Sequence, residues 1–156
     1  MIPVHLKQRL VIQQLIESVF AYLSELQNLV EWSSSVIAVR KLTEGAMQVG
    51  ATVQITSRFL GNWQDLTFEV VEYDPSRWLT LKSLSGVTPC FFSYQLESAE
   101  EGETVVSQEV MISLTEGILV QPEHVVISAL RRHLEGDLLT LQDLLEARAC
   151  RWGRAG

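Results

Sequence analysis

PEHVVISALRRHLEGDLLTLQDLLEAR, residues 122–148, is the stretch on which the fold turns. Val126, Leu130, Leu134, Leu138, Leu141 and Leu145 recur at steps of three and four residues, the spacing that lines apolar side chains into one stripe along a helix. Pro122 stands at the first turn, where a helix tolerates proline. About 27 residues rising 1.5 Å each predict a helix about 40 Å long. A stripe of that length needs an equally long apolar partner. Gly136 is the irregularity, since glycine in a helix interior costs about 1 kcal/mol relative to alanine. A close backbone approach, a bend or vacant space beside the helix would account for it.

The partner lies immediately upstream. Runs rich in β-branched and aromatic residues predict strands over 36–43, 50–60, 63–73, 78–84, 90–98 and 104–114. Gly61-Asn62 reads as a two-residue hairpin turn, Asp74-Pro75-Ser76-Arg77 as a type I turn, and Glu100-Glu101-Gly102 as the close of another hairpin. Connections this short join antiparallel neighbours. Strands of about 11 residues reach about 36 Å, so the helix can lie along the whole sheet.

The N-terminal segment adds one more strand and a helical corner. Val4, Leu6, Leu10 and Ile12 alternate against His5, Lys7 and Arg9, a half-buried strand pattern. Ile16, Val19, Phe20 and Leu23 then switch to a helical stripe, extended by Leu26 until Asn28 allows a break, and a short turn over 28–32 carries Trp32. Ser33-Ser34-Ser35 follow before Val36 opens a strand. A large aromatic beside three small hydroxyl residues can close a core or form the lip of a cavity; the lip is the expectation here. The whole is predicted to be an α+β fold in one domain, residues 1–156, with a curved antiparallel sheet wrapped around the long C-terminal helix.

Composition removes several classes of function. Twelve basic against nineteen acidic residues leave a net charge of −7, the wrong sign for holding a phosphate backbone, so nucleic acid is not an expected partner. No apolar run is long enough to cross a membrane, and Lys7 and Arg9 inside the first apolar stretch do not fit a secretion signal. The cytoplasm is the expected location. Cys90 and Cys150 lack the spacing of a zinc or redox motif. Arg148, Arg151 and Arg154 suit the negative end of a terminal helix. His5, His124 and His133 have no serine, cysteine or carboxylate at a recognised catalytic spacing, and no HExxH, P-loop or GxSxG string occurs. Asp65 and Glu69 share a strand face, yet four strand steps separate their backbones by about 13 Å, beyond glycosidase spacing. No catalytic residue, metal ligand or cofactor is therefore assigned.

The element order and local wording together resemble the START-like superfamily, also called SRPBCC, and within it the polyketide cyclase/dehydrase-like branch. The motifs are SVFAYLSELQNLVEW (18–32), with Val19-Phe20, Asn28 and Trp32; FEVVEYDPSRWLTL (68–81), a hairpin with a proline-containing turn; FSYQLESAEEGETVV (92–106), ending in Gly-x-Thr; and LLTLQDLLE (138–146). Where the family usually carries a proline before its first helix, this chain has Leu15-Ile16-Glu17. The resemblance implies the helix-grip fold, with a cavity between sheet and C-terminal helix that takes lipids, quinones or aromatic polyketide-like molecules.

Candidate cavity residues follow from which faces would look inward. Trp32, Phe68, Phe92 and Tyr94 are aromatic, Ser57 alternates with Ile55 and Phe59, and Gln108 sits between Val106 and Val110. The helix would contribute Ile127, Leu130 and Leu134, with Arg131 to hold a carboxylate or phenolate at the mouth; Arg58, by strand parity, points to solvent. Isolated polar groups on apolar faces need partners, which a ligand can supply. The expected function is binding of a small hydrophobic molecule, with a homodimer left open. The alternative is a cyclase or dehydrase in which Tyr94, Gln108 or Arg131 assists proton transfer. A third reading is an interaction module presenting Trp32, Trp63 or Trp78.

Overall fold

The computed structural model describes residues 2–59, 61–85, 89–114 and 122–155. Strand β1 (Ile2–Ile12) leads into α1 (Ile16–Ser24), a single 3-10 turn (Leu26–Asn28) and α2 (Leu29–Trp32). Strands β2 (Val36–Lys41), β3 (Thr52–Phe59), β4 (Asn62–Asp74), β5 (Trp78–Ser85), β6 (Cys90–Ser98) and β7 (Thr104–Leu114) follow, and α3 (Glu123–Ala155) completes the chain. All pairs are antiparallel, in the order β1-β7-β6-β5-β4-β3-β2. The helix-grip architecture is the one expected: one face of the curved sheet closes on α3.

Period-two burial makes that face. In β4, Leu66, Phe68 and Val70 are buried while Asp65, Thr67 and Glu69 turn away or to the sides. In β1 the even-numbered residues face inward in the same way. The α3 stripe serves two clusters. Leu138, Leu141 and Leu145 join α1, α2 and most of the sheet in the larger core, and Leu130 and Leu134 join Val4, Leu6 and Val110 in a smaller one.

Local details depart from the sequence reading in instructive ways. The first helix ends at Ser24 rather than after Leu26; the Asn28 side-chain amide donates to the Tyr22 carbonyl at 3.0 Å, satisfying an acceptor that the helix end releases. Phe59 pairs with Asn62, so Asn62 belongs to the strand and not to the turn; Gly61 supplies the left-handed φ of 81°. In the 74–77 turn the Arg77 N–H donates to the Asp74 carbonyl at 3.0 Å, but Ser76 has φ 65°. With Pro75 holding a negative φ before it, this is the type II pattern instead of type I. Strand β2 stops at Lys41, two residues short of expectation, and α3 runs on past Arg148 because nothing between Ala147 and Trp152 breaks a helix.

Gly136 has open space where a side chain would stand, with no atom within 4 Å of an added Cβ. Vacant space, and no close approach, is thus its surroundings. Gly136→Ala is expected to raise the unfolding free energy by about 0.5–1 kcal/mol, read as a higher urea midpoint at unchanged slope; a destabilised variant would contradict this.

Candidate functional site

A cavity of about 260 Å³ separates the inner face of the sheet from α3. The two core clusters flank it, so it lies where the α3 stripe passes from one to the other. Its apolar walls come from the 3-10 turn and α2 (Leu26, Leu29, Trp32), from β3 and β4 (Ile55, Phe59, Leu66, Phe68), from β5 to β7 (Leu81, Phe92, Ile112) and from α3 (Val126, Leu130, Leu134). Trp32 meets Tyr94 edge-on with ring centroids 6.1 Å apart, and Phe68 meets Phe92 likewise at 6.0 Å. Such contacts fix ring orientation beyond simple burial.

Of the twelve residues expected at the cavity, ten line it: Trp32, Ile55, Ser57, Phe59, Phe68, Phe92, Tyr94, Gln108, Leu130 and Leu134. Ile127 and Arg131 do not. Ile127 packs, half-buried, against the smaller cluster, and Arg131 is exposed. Each helical residue rotates the side chain by about 100°, so Arg131 is carried off the wall that Leu130 faces. Arg58 also points outward, its guanidinium 5.6 Å from the Trp63 ring centre.

A polar ladder crosses the inner face. Gln8, Gln108 and Tyr94 stand opposite one another on β1, β7 and β6. The Gln8 amide donates to Gln108 Oε1 at 2.9 Å, and Gln108 Nε2 donates to the Tyr94 hydroxyl at 3.2 Å. Burial pushes the Tyr94 phenol up from the usual 10.0 to about 12, opposed by the Gln108 hydrogen bond and reinforced by the Asp137 charge. Ionising the phenol is easier in the unfolded chain, so its share of stability is complete below about pH 10 and drains away as pH climbs through about 12. An ultraviolet phenolate titration is expected to show a late step near pH 12, shared with the buried Tyr22 phenol, that loses about half its amplitude in Tyr94→Phe. Cys90, also on the wall, has its thiol pushed up to about 12 by burial, leaving little reactive thiolate.

The serine corner is answered by α3. Asp137, only 3% exposed, accepts from the Ser34 backbone N–H at 3.1 Å, from Ser34 Oγ at 2.7 Å and from Ser33 Oγ at 3.4 Å. His133 Nε2 lies 3.6 Å from the same carboxylate, and its ring sits edge-on to Phe59 at 5.2 Å. Trp32 is therefore wall, 3% exposed, and Ser33, Ser35, His133 and Asp137 line the cavity beside it, with exposed Ser34 just outside. Sequence reasoning missed both Asp137 and His133. The clue available was an acidic residue falling within an otherwise apolar helical stripe beside Leu134 and Leu138.

Ser34, His133 and Asp137 do not make a nucleophilic relay. Nε2 is the nearest ring nitrogen to both partners, at 3.2 Å from Ser34 Oγ and 3.6 Å from Asp137, while the hydroxyl makes its shorter contact with the carboxylate itself. A relay needs hydroxyl and carboxylate on opposite ring nitrogens. Among the described residues no group of three or more histidine, cysteine or acidic side chains is arranged to hold a metal, and no helix is long and apolar enough to cross a membrane.

Comparison with known proteins places this geometry in a family. In solved structures the fold recurs in the Zhui aromatase/cyclase from a Streptomyces species, at TM-score 0.77 and 15% identity over 94% of this chain and 96% of that one. It recurs in a START superfamily protein from Mycobacterium smegmatis at 0.77 and 10%, covering 92% and 97%. The major latex-like protein 151 of Panax ginseng matches at 0.67 and 16%, covering 95% and 98%. No curated protein sequence matches the chain. The profile of the family described as polyketide cyclase/dehydrase and lipid transport matches residues 4–146, and with nearly the whole length so covered, the chain belongs to that START-like family.

Proposed function

We propose that the protein binds a small hydrophobic or amphipathic molecule in the cavity between the sheet and α3. The observation that carries this reading is the cavity itself: about 260 Å³, walled by aromatic and aliphatic side chains, with few polar groups placed among them. Small-molecule sites have this composition and usually span about 300–1,000 Å³, so about 260 Å³ suits a ligand at the small end of that class. The family description, which includes lipid transport, supports the same class of ligand. The ten cavity-lining residues named from the sequence are the proposed ligand contacts, and Ile127 and Arg131 are not among them. The protein works as one domain in the cytoplasm with a small molecule as partner, and its net charge of −7 disfavours nucleic acid.

Native mass spectrometry of freshly purified protein, with thermal shifts against lipids, quinones and aromatic polyketides, tests the reading. A ligand at a hundredfold excess over its Kd adds about 2.7 kcal/mol, which raises Tm by about 5–10 °C for a chain of this size. Leu134→Trp, which fills the cavity from α3, is expected to abolish that shift. A shift that survives the filled cavity would place binding elsewhere.

One observation favours the second reading, a cyclase or dehydrase. Tyr94 stays protonated beside the cavity at neutral pH, and a fixed phenol can stabilise a developing enolate. Turnover of an aromatic polyketide that is unaffected by Tyr94→Phe would remove that role.

A further inference from the structure

Resting on the binding reading above, we infer that the cavity selects neutral, carbonyl-bearing ring systems over carboxylate or phosphate amphiphiles, with the carbonyl accepting a hydrogen bond from Tyr94. Two independent features lead there. The first is the direction of the polar ladder. Gln8 donates to Gln108 and Gln108 donates to the Tyr94 oxygen, so both donors run toward the cavity and the phenol proton is the end of the line. Tyr94 is 5% exposed and lines the cavity, and among the described residues none accepts that proton. A buried donor needs an acceptor, and a ring carbonyl lying between Trp32 and Phe92 offers one.

The second feature is charge. No lysine or arginine lines the cavity among the described residues. The guanidinium groups next in sequence to wall residues, Arg58, Arg131 and Arg132, are all exposed and face outward. The acidic side chain on the wall, among the described residues, is Asp137, held there by Ser33 and Ser34. A ligand carboxylate in the cavity meets the like charge of Asp137 in a poorly hydrated space, where Coulomb repulsion is several times its strength in water. A protonated His133, with Nε2 at 3.6 Å, would only cancel the Asp137 charge and leave no net attraction. A neutral ketone pays no such penalty.

Three ligands of one size separate these effects: acetylnaphthalene, ethylnaphthalene and naphthoate, each substituted at the same ring carbon and titrated calorimetrically at pH 7 and low salt. Acetylnaphthalene is expected to bind about tenfold more tightly than ethylnaphthalene, equivalent to about 1.4 kcal/mol, and naphthoate is expected to bind most weakly. Tyr94→Phe should bring the acetyl-to-ethyl ratio close to one, and Asp137→Asn should narrow the gap to naphthoate. In the wild-type protein the infrared carbonyl band of bound acetylnaphthalene should shift to lower frequency, a readout that needs no variant. An unshifted band, an acetyl-to-ethyl ratio that survives Tyr94→Phe, or naphthoate binding as tightly as the ketone would overturn the inference while leaving the cavity as a binding site. If none of the three binds, the binding reading falls and takes this one with it.

Discussion

Leu141→Ala is expected to lower the unfolding free energy by about 3–4 kcal/mol, whereas Leu130→Ala, about 16 Å along the same helix at about 1.5 Å per residue, should cost only about 2 kcal/mol. Leu141 is fully buried within the larger cluster, surrounded by α1, α2 and the sheet. Its truncation removes the transfer energy of the deleted atoms and leaves a new void whose lining loses dispersion contacts. Leu130 is nearly as buried, at 6% exposure, but one side of it already faces the cavity. It has fewer neighbours to lose and adds to a space that exists. Urea unfolding at constant slope measures both. Equal costs would mean that the interior is filled as tightly around Leu130 as around Leu141.

The second large effect is at the serine corner. Asp137→Ala is expected to cost about 2 kcal/mol, because the Ser34 N–H and the hydroxyls of Ser33 and Ser34 all lose their acceptor. A donor left without a partner in a shielded position costs about 1–3 kcal/mol, and the exposed Ser34 hydroxyl recovers part of that from water. Asp137→Asn keeps one acceptor oxygen and should restore about half. A loss below about 0.5 kcal/mol would show that the serine corner holds its shape without α3. Hydrogen exchange at the Ser34 amide gives the local version of the same test: protection should fall sharply in Asp137→Ala and little elsewhere in β2.

The strands were legible because their signal is local. Alternation in β1 and β4, and turn chemistry at Gly61, Pro75 and Gly102, are read within a dozen residues, and β6 and β7 have the boundaries that the sequence suggests. The α3 stripe was legible for the same reason. Where reading failed, the deciding contact was distant or angular. Asp137 finds Ser34 across 103 residues of chain, and nothing in either segment announces the other. Ile127 and Arg131 sit at the border of a helical stripe. A rotation of one residue decides whether such a side chain looks into the gap, and periodicity alone does not say where along the stripe the sheet stands away. Ser76 illustrates a third cause: Asp-Pro-Ser-Arg suits either turn type, and the left-handed φ of Ser76 is set by the pairing of Asp74 with Trp78 around it.

The pairing of β1 with β7 has a consequence for how the chain is made. Ile2 lies opposite Leu114 and Ile12 opposite Thr104, so β1 has no ladder to join until about ninety further residues have emerged. At about 5–20 residues per second that wait lasts about 5–20 s. Hairpins such as β3–β4 and β6–β7 can zip as soon as they are synthesised, but β1, apolar on alternate residues, stays unpaired until β7 follows. Ribosome-bound fragments ending before residue 104 should be far more protease-sensitive than those carrying β7 clear of the exit tunnel.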